Sequence, residues 1–446
     1  MSNQQDSPAK NKPRSKRRVF YGYWIVAFGL LCLTMCIGCG SFVYSLFVHP
    51  LQAEFGSSRG QIMVGFTIFW VMMGIGSPIA GRILDRYGAR RAISLGALVM
   101  GLGFVLVSMT RSLPLFYVGY LFVGLGAAGI GPVSTSALAS NWFRRKRGLA
   151  LGITAAGIGT GGVVMAPIVG FLLHAYDWQT AYLAMAFIVW IVIIPLALLV
   201  VRTRPSEMGL RQDGDTALTE TEARDSVTEP ALWGLTLGQA VRTMPFWLIA
   251  VSYLLSNGCS MAALQSQVPN MDDIGFPIAT AAGALSATGF GSGVGKFLFG
   301  WLCDYVKPRF VSAIGLTLQC LGIAVLLQVR ADSPMYVVWG AALLLGFGVG
   351  SWLPTMSLLV SRSFGLAFYG AVFGVVNLAQ SIGTATGPLL AGVMYDQMGT
   401  YRWAFILFAS LYAIAIPAVL LVRRPKLADS LSETGRLEHP LTEPSS

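Results

Sequence analysis

Twelve apolar stretches follow one another along the chain, at about residues 21–48, 61–83, 91–109, 113–142, 147–174, 178–201, 245–270, 278–302, 309–328, 334–362, 368–394 and 401–422. Each can cross a hydrocarbon layer about 30 Å thick at about 1.5 Å per residue, some with tilt. No water-soluble fold accommodates such a series. With 54% hydrophobic and 11% charged residues in 446, and a mean hydropathy of +0.65, the composition is that of a polytopic membrane protein. Short connections between most spans suit antiparallel all-α bundles. The first stretch is too long for a signal-peptide core and is expected to be retained.

One interval breaks the rhythm. From Arg202 to Thr243 the chain turns acidic and Thr-rich, and six spans lie on either side of it. The two sets echo each other: Gly81-Arg82-Ile83-Leu84-Asp85 follows the second span, and Gly300-Trp301-Leu302-Cys303-Asp304 follows the eighth, 219 residues later. Pro167 to Gly170 in the fifth span matches Pro388 to Gly392 in the eleventh at almost the same offset. The expected organisation is therefore a basic tail at 1–19, a six-helix bundle at 20–201, a linker at 202–243, a second six-helix bundle at 244–424 and a polar tail at 425–446.

Charge sets the expected orientation. Placing the N-terminus in the cytoplasm puts 26 of the 31 Lys and Arg on that side, with Arg59, Arg111, Arg330 and Arg402 outside and Lys296 within the membrane. This asymmetry follows the positive-inside rule, so both termini are expected to be cytoplasmic in an inner or plasma membrane. The net charge of +11 then requires no nucleic acid. The run KNKPRSKRR before the first span reads as a topology anchor against membrane lipids. Cys32, Cys36 and Cys39 share a helical face and read as packing residues, and no cofactor or metal site is expected. The glycine runs of the fourth and fifth spans lack the preceding strand of a dinucleotide fingerprint and read as helix-crossing surfaces.

Within this arrangement Lys296 is the one charge placed at membrane depth. It lies eight residues before Asp304, about 12 Å from that end of its helix. Exposed to lipid, a lysine there costs about 2.5–3.5 kcal/mol or more, so it should face the bundle interior. Counting by threes and fours gives Ser292, Gly293, Gly289, Thr288, Ser286 and Gly300 on its stripe, all small or weakly polar. An isolated cation among small residues needs an anion, no other span offers a carboxylate, and the simplest partner is a substrate.

At Gly81-Arg82-Ile83-Leu84-Asp85-Arg86-Tyr87-Gly88-Ala89-Arg90-Arg91 the chain resembles the major facilitator superfamily, over about residues 20–424. The resemblance implies a gating role for Gly81, Asp85, Arg86, Gly88, Arg91, Arg147 and Asp304. The expected partner of Asp85 is the cluster Arg144, Arg145, Lys146 and Arg147. The stretches Pro50 to Gly56, Asn141 to Arg144 with Arg147 to Gly152, and Arg204 to Leu210 resemble the bacterial monocarboxylate and oxalate/formate branch. That branch carries a basic residue in helix eight that receives the substrate carboxylate, and Lys296 falls there. Lysine keeps the charge of the usual arginine but not its bidentate fork. Ser292 occupies the place of the aspartate of animal relatives, and Gln380 that of the antiporter's second basic residue. One fixed cation favours a monoanion over a dianion, and the substitution at Ser292 leaves proton coupling open.

The remaining lining candidates are Tyr44 and Tyr120 in the first half, and Asn257, Ser351, Asn377 and Gln380 in the second. Each could orient a carboxylate or hydrogen-bond a neighbouring helix. The expectation is a monomeric secondary transporter of a small organic anion such as lactate, pyruvate or formate, coupled to a proton or a counter-anion. Efflux of amphipathic compounds and substrate sensing without transport are the alternatives. An enzyme is not expected, because no acid, base and nucleophile converge at depth.

Overall fold

The computed structural model describes residues 20–57, 59–214, 233–276 and 278–425. The basic tail at 1–19, the polar tail from 426 and residues 215–232 of the linker lie outside the described residues. The first half comprises α1 (Gly22–Ile37), α2 (Tyr44–Phe55), α3 (Arg59–Tyr87), α4 (Ala89–Ser108), α5 (Leu113–Ile130), α6 (Pro132–Trp142), α7 (Arg147–Ala175) and α8 (Trp178–Val200). The second comprises α9 (Leu237–Val241), α10 (Met244–Ile274), α11 (Ile278–Tyr305), α12 (Pro308–Leu326), α13 (Met335–Val349), α14 (Trp352–Phe364), α15 (Tyr369–Met398) and α16 (Arg402–Leu420).

Three of the expected spans are each built from two helices, for local reasons. A π-helical turn over Gly38–Phe42 separates α1 from α2. Between α5 and α6, Gly131 adopts extended backbone before Pro132, which disfavours helical geometry in the residue it follows. The junction of α13 and α14 falls at Gly350-Ser351.

Among the described residues, ten spans are long and apolar enough to cross a membrane. Two further helices, α11 with 28 residues and α15 with 30, run a comparable length through the same bundle but are too polar to qualify. These two carry Lys296 and the Asn377 to Thr384 stripe. Loss of apolar character is thus concentrated on helices with an interior face to present.

Packing within each half is close. A Cβ on Gly126 would meet the backbone of Met100 in α4, and one on Gly322 the backbone of Leu345 in α13. Small residues let helices approach where the surrounding lipid supplies no hydrophobic drive. Aromatic residues fill the opposite end of the first half: Phe47 stacks on Tyr182 at 4.1 Å between ring centres, and Tyr44 meets Tyr120 edge-on at 5.1 Å. The halves touch chiefly through two pseudo-equivalent pairs, α3 with α15 and α7 with α11.

A Gly126→Val substitution should lower the melting temperature of the detergent-purified protein or abolish its folding. The added methyl groups overpack a backbone contact, at a cost of about 1–3 kcal/mol or more. Gly170→Ala, where a Cβ meets no atom within 4 Å, should leave the melting temperature within about 2 °C of wild type. Equal effects of the two changes would contradict this packing.

Candidate functional site

Lys296 sits where two helices part. On one face of α11, a Cβ on Gly291 would come 2.6 Å from the Leu343 carbonyl oxygen, and one on Gly350 would come 2.6 Å from the Lys296 amide nitrogen. This face is sealed against α13 and the junction that follows it. On the face towards α7, a Cβ on Gly300 would come 2.5 Å from the Gly148 carbonyl oxygen, and one on Gly152 would come 2.5 Å from the Lys296 carbonyl oxygen. Further along the same stripes, Gly293 and Gly289 of α11 and Gly159 of α7 have no atom within 4 Å of a Cβ position. The facing stripes therefore touch from Gly300 to Lys296 and separate beyond it.

The ammonium is buried, with Lys296 4% exposed. Its Nζ donates to Ser292 Oγ at 2.6 Å, one turn away. Among the described residues, this is its sole hydrogen bond and no carboxylate forms an ion pair with it. A neutral hydroxyl only partly replaces the hydration that a buried charge gives up.

The motif loops close one end of the molecule. The Asp85 carboxylate accepts the backbone N–H of Gly370 at 2.9 Å and of Ala371 at 2.8 Å, in the first turn of α15. The Asp304 carboxylate accepts those of Gly148 at 2.5 Å and Leu149 at 3.0 Å, in the first turn of α7. First-turn amides have no partner within their own helix, and the helix dipole adds attraction for negative charge there. Each half therefore caps a helix of the other. A Cβ on Gly81 would lie on the Gly370 carbonyl, and one on Gly370 would lie 2.8 Å from an Asp85 oxygen.

This arrangement corrects the expected partner of Asp85: it is the start of α15, not the cluster Arg144 to Arg147. Asp304 lies beside that cluster, and Asp213 accepts the amides of Arg144 and Arg145. Arg147 donates from Nε to the Phe143 carbonyl at 3.0 Å and reaches across the halves to Ser361 Oγ at 3.5 Å. Arg86 and Arg91 flank the Tyr87 ring at 5.2 and 6.0 Å. Gly88, with φ of 84°, supplies the left-handed turn into α4.

The other expected lining residues divide into two groups. Gln380 donates to Asn257 Oδ1 at 3.3 Å and to Thr384 Oγ1 at 2.8 Å, while Asn377 donates to Ser77 Oγ of the first half at 2.9 Å. Asn377 Oδ1, Gln380 Oε1 and Ser381 Oγ are buried and have no hydrogen-bond partner among the described residues. By contrast, Tyr44 donates to the Ile62 carbonyl, and the Tyr120 and Tyr182 hydroxyls meet at 2.8 Å, all inside the first half. Ser351 donates to the Gly348 carbonyl and fills the space beside Gly315 of α12. Thr288, expected on the Lys296 stripe, instead turns towards α10 and bonds Gln267 Oε1 at 3.1 Å.

A family model described as the major facilitator superfamily matches residues 30–289 and 246–445. The chain belongs to the major facilitator superfamily. Its fold is that of the superfamily's transporters, matching the proton:xylose symporter XylE bound to 6-bromo-6-deoxy-D-glucose with a TM-score of 0.71 at 15% identity, over 90% of this chain and 96% of that one. Among sequence relatives, monocarboxylate transporter 13 of Bos taurus is 26% identical over 85% of this chain and 84% of its own length. The oxalate:formate antiporter of Oxalobacter formigenes is 23% identical over 88% of this chain and 90% of its own length.

For this superfamily member, residue-by-residue reading missed the trans partners of the motif. Ser77 and Gly74 escaped notice because each looks like an ordinary small residue in an apolar helix. A signal was present nonetheless: Ser77 and Gly74 precede Gly81 by one and two turns, on the face that meets Gly374 and Ser381 of α15.

Replacing Asp304 by Ala should leave two first-turn amides of α7 without their cap and weaken closure by about 1 kcal/mol or more, shifting the population towards opening at this end roughly fivefold. Distances between spin labels at positions 86 and 368 report it. A longer-distance population should grow in Asp304→Ala and in Asp85→Ala, whereas distributions identical to wild type would contradict capping in trans.

Proposed function

We propose that the protein carries a small organic monoanion of the monocarboxylate class, such as lactate, pyruvate or formate, between its two halves. The carrying observation is the buried Lys296 ammonium, held among the described residues by Ser292 alone, at the level where α7 and α11 part. The names of the relatives, monocarboxylate transporter and oxalate:formate antiporter, support the same chemical class.

In this reading the motif end faces the cytoplasm, as the placement of basic residues supports. With Asp85 and Asp304 engaged, the molecule is closed inward and reached from outside. The carboxylate enters along the separated stripes of α7 and α11 and pairs with Lys296 Nζ. Asn257, Asn377 and Gln380 would supply further polar contacts from the second half, and Asn377 Oδ1 and Gln380 Oε1, without a partner among the described residues, can accept hydrogen bonds from a hydroxyl or a bridging water. Pairing neutralises the Lys296 charge at depth. A neutral pair crosses the rearrangement between outward and inward states more easily than a bare ammonium, which ties rocking of the halves to occupancy. Return of the empty carrier then requires a second anion, or removal of the ammonium's proton, and the reading accommodates either.

Lys296→Gln should reduce uptake of radiolabelled monocarboxylate into proteoliposomes by at least about 100-fold, the scale of a removed buried charge pair at about 3 kcal/mol or more. Lys296→Arg should retain part of it. Uptake by Lys296→Gln with unchanged affinity would remove the proposal.

A further inference from the structure

The two seams between the halves are built alike but carry different chemistry. Lys296 lies eight residues before Asp304 in α11, and Ser77 lies eight residues before Asp85 in α3. A Cβ on Gly152 would come 2.5 Å from the Lys296 carbonyl oxygen, and one on Gly374 would come 2.5 Å from that of Ser77. Gly152 and Gly374 each follow by four residues a glycine whose amide donates to a motif carboxylate. Ser77 is therefore the counterpart of Lys296, at the same distance from the closed end. One seam brings an ammonium to this level, and the other brings a serine and a polar stretch of α15.

That stretch holds Asn377, Gln380 and Ser381, which are 0%, 3% and 0% exposed. The hydrogen bonds around them fix which way each amide points. Ser77 Oγ donates its only proton to the Met73 carbonyl at 2.7 Å, so towards Asn377 it can only accept, and Asn377 Nδ2 takes that side at 2.9 Å. Asn257 Nδ2 donates to the Tyr253 carbonyl at 3.0 Å, and Thr384 Oγ1 donates to the Gln380 carbonyl at 3.1 Å. Asn257 Oδ1 and Thr384 Oγ1 are thus both acceptors towards Gln380 Nε2, which leaves Oε1 as the free end of that amide. Asn377 Oδ1, Gln380 Oε1 and Ser381 Oγ have no hydrogen-bond partner among the described residues. Buried amide oxygens ordinarily have a donor. Ser381 packs against Gly74 of α3, where a Cβ would come 2.7 Å from its own, so the stretch lies on the seam itself.

We propose that these two amide oxygens read a hydroxyl on the transported anion, so that the carrier selects hydroxy monocarboxylates over oxo acids. This rests on Lys296 receiving the carboxylate, as proposed above. With the carboxylate at one seam, the rest of a ligand held between the halves meets the other seam at the same level. A hydroxyl there donates to Asn377 Oδ1 or Gln380 Oε1. The carbonyl oxygen of an oxo acid can only accept, and sets its lone pairs against theirs. A site that pairs with a substrate hydroxyl rejects the analogue lacking it, because its own buried groups are then left unpaired. Asn377 and Gln380 determine specificity, while Ser77 and Asn257 position them.

Equilibrium binding to the purified full-length protein tests this with two matched pairs, lactate against pyruvate and 3-hydroxybutyrate against acetoacetate. In at least one pair the hydroxy acid should bind about tenfold or more tightly than its oxo partner. In Asn377→Leu that preference should fall to within about twofold of none, since the acceptor that carries it is gone. Gln380→Met should lower it as well, and serves if Asn377→Leu fails to fold. Equal binding within both pairs, a preference for the oxo acids, or a preference unchanged in the variants would overturn the proposal. If the acids nonetheless bind the native protein and not Lys296→Gln, the carboxylate site at Lys296 stands without it. Absence of binding by any of these acids would remove both.

Discussion

A single ammonium buried between helices, without a carboxylate to pair with among the described residues, is the constraint on which the rest of the structure turns. Burying such a charge is unfavourable by several kcal/mol before compensation, and Ser292 Oγ compensates only in part. The fold accommodates it by placing Lys296 at the seam of the two halves, on a helix too polar to count as an ordinary membrane span. The same helix uses glycine on both flanks, sealing one face against α13 and the other against α7. Wherever glycine brings backbones together the helix is fixed, and Lys296 lies where that contact ceases.

The closed end obeys a related electrostatic rule. Two carboxylates, 219 residues apart in sequence, each hold two first-turn amides of a helix in the opposite half. A carboxylate at a helix start is favourable, and it is lost when that end opens, because donor and acceptor ride on different halves. At the motif end, closure includes these four hydrogen bonds and the close glycine contacts beside them.

Much of this was legible in the sequence. The apolar series, the interval at 202–243 and the echo between Asp85 and Asp304 implied two membrane bundles before any contact was known, and Lys296 stood out because charge at depth is costly. What escaped was pairing across the halves. Asp85 seemed destined for the nearby arginines, whereas backbone amides of α15, invisible in a list of side chains, are its partners. Tyr44, Tyr120 and Ser351 looked like lining residues because they are polar and near the right depth. Their hydroxyls find carbonyls or, for Tyr120, the Tyr182 hydroxyl inside a single half, a choice set by helix rotation that periodicity alone does not fix. Asn257 and Gln380 do meet, since both lie on stripes of α10 and α15 that pack together.

The central claim is that Lys296 is the counter-charge of the transported anion. Equilibrium binding of lactate and of lactamide, nearly equal in shape but differing in charge, tests it most directly on the purified protein. The account predicts that lactate binds at least about tenfold more tightly, corresponding to about 1.4 kcal/mol from a charge-assisted contact, and that the difference vanishes in Lys296→Gln. Equal affinity for the acid and the amide in the native protein would contradict it.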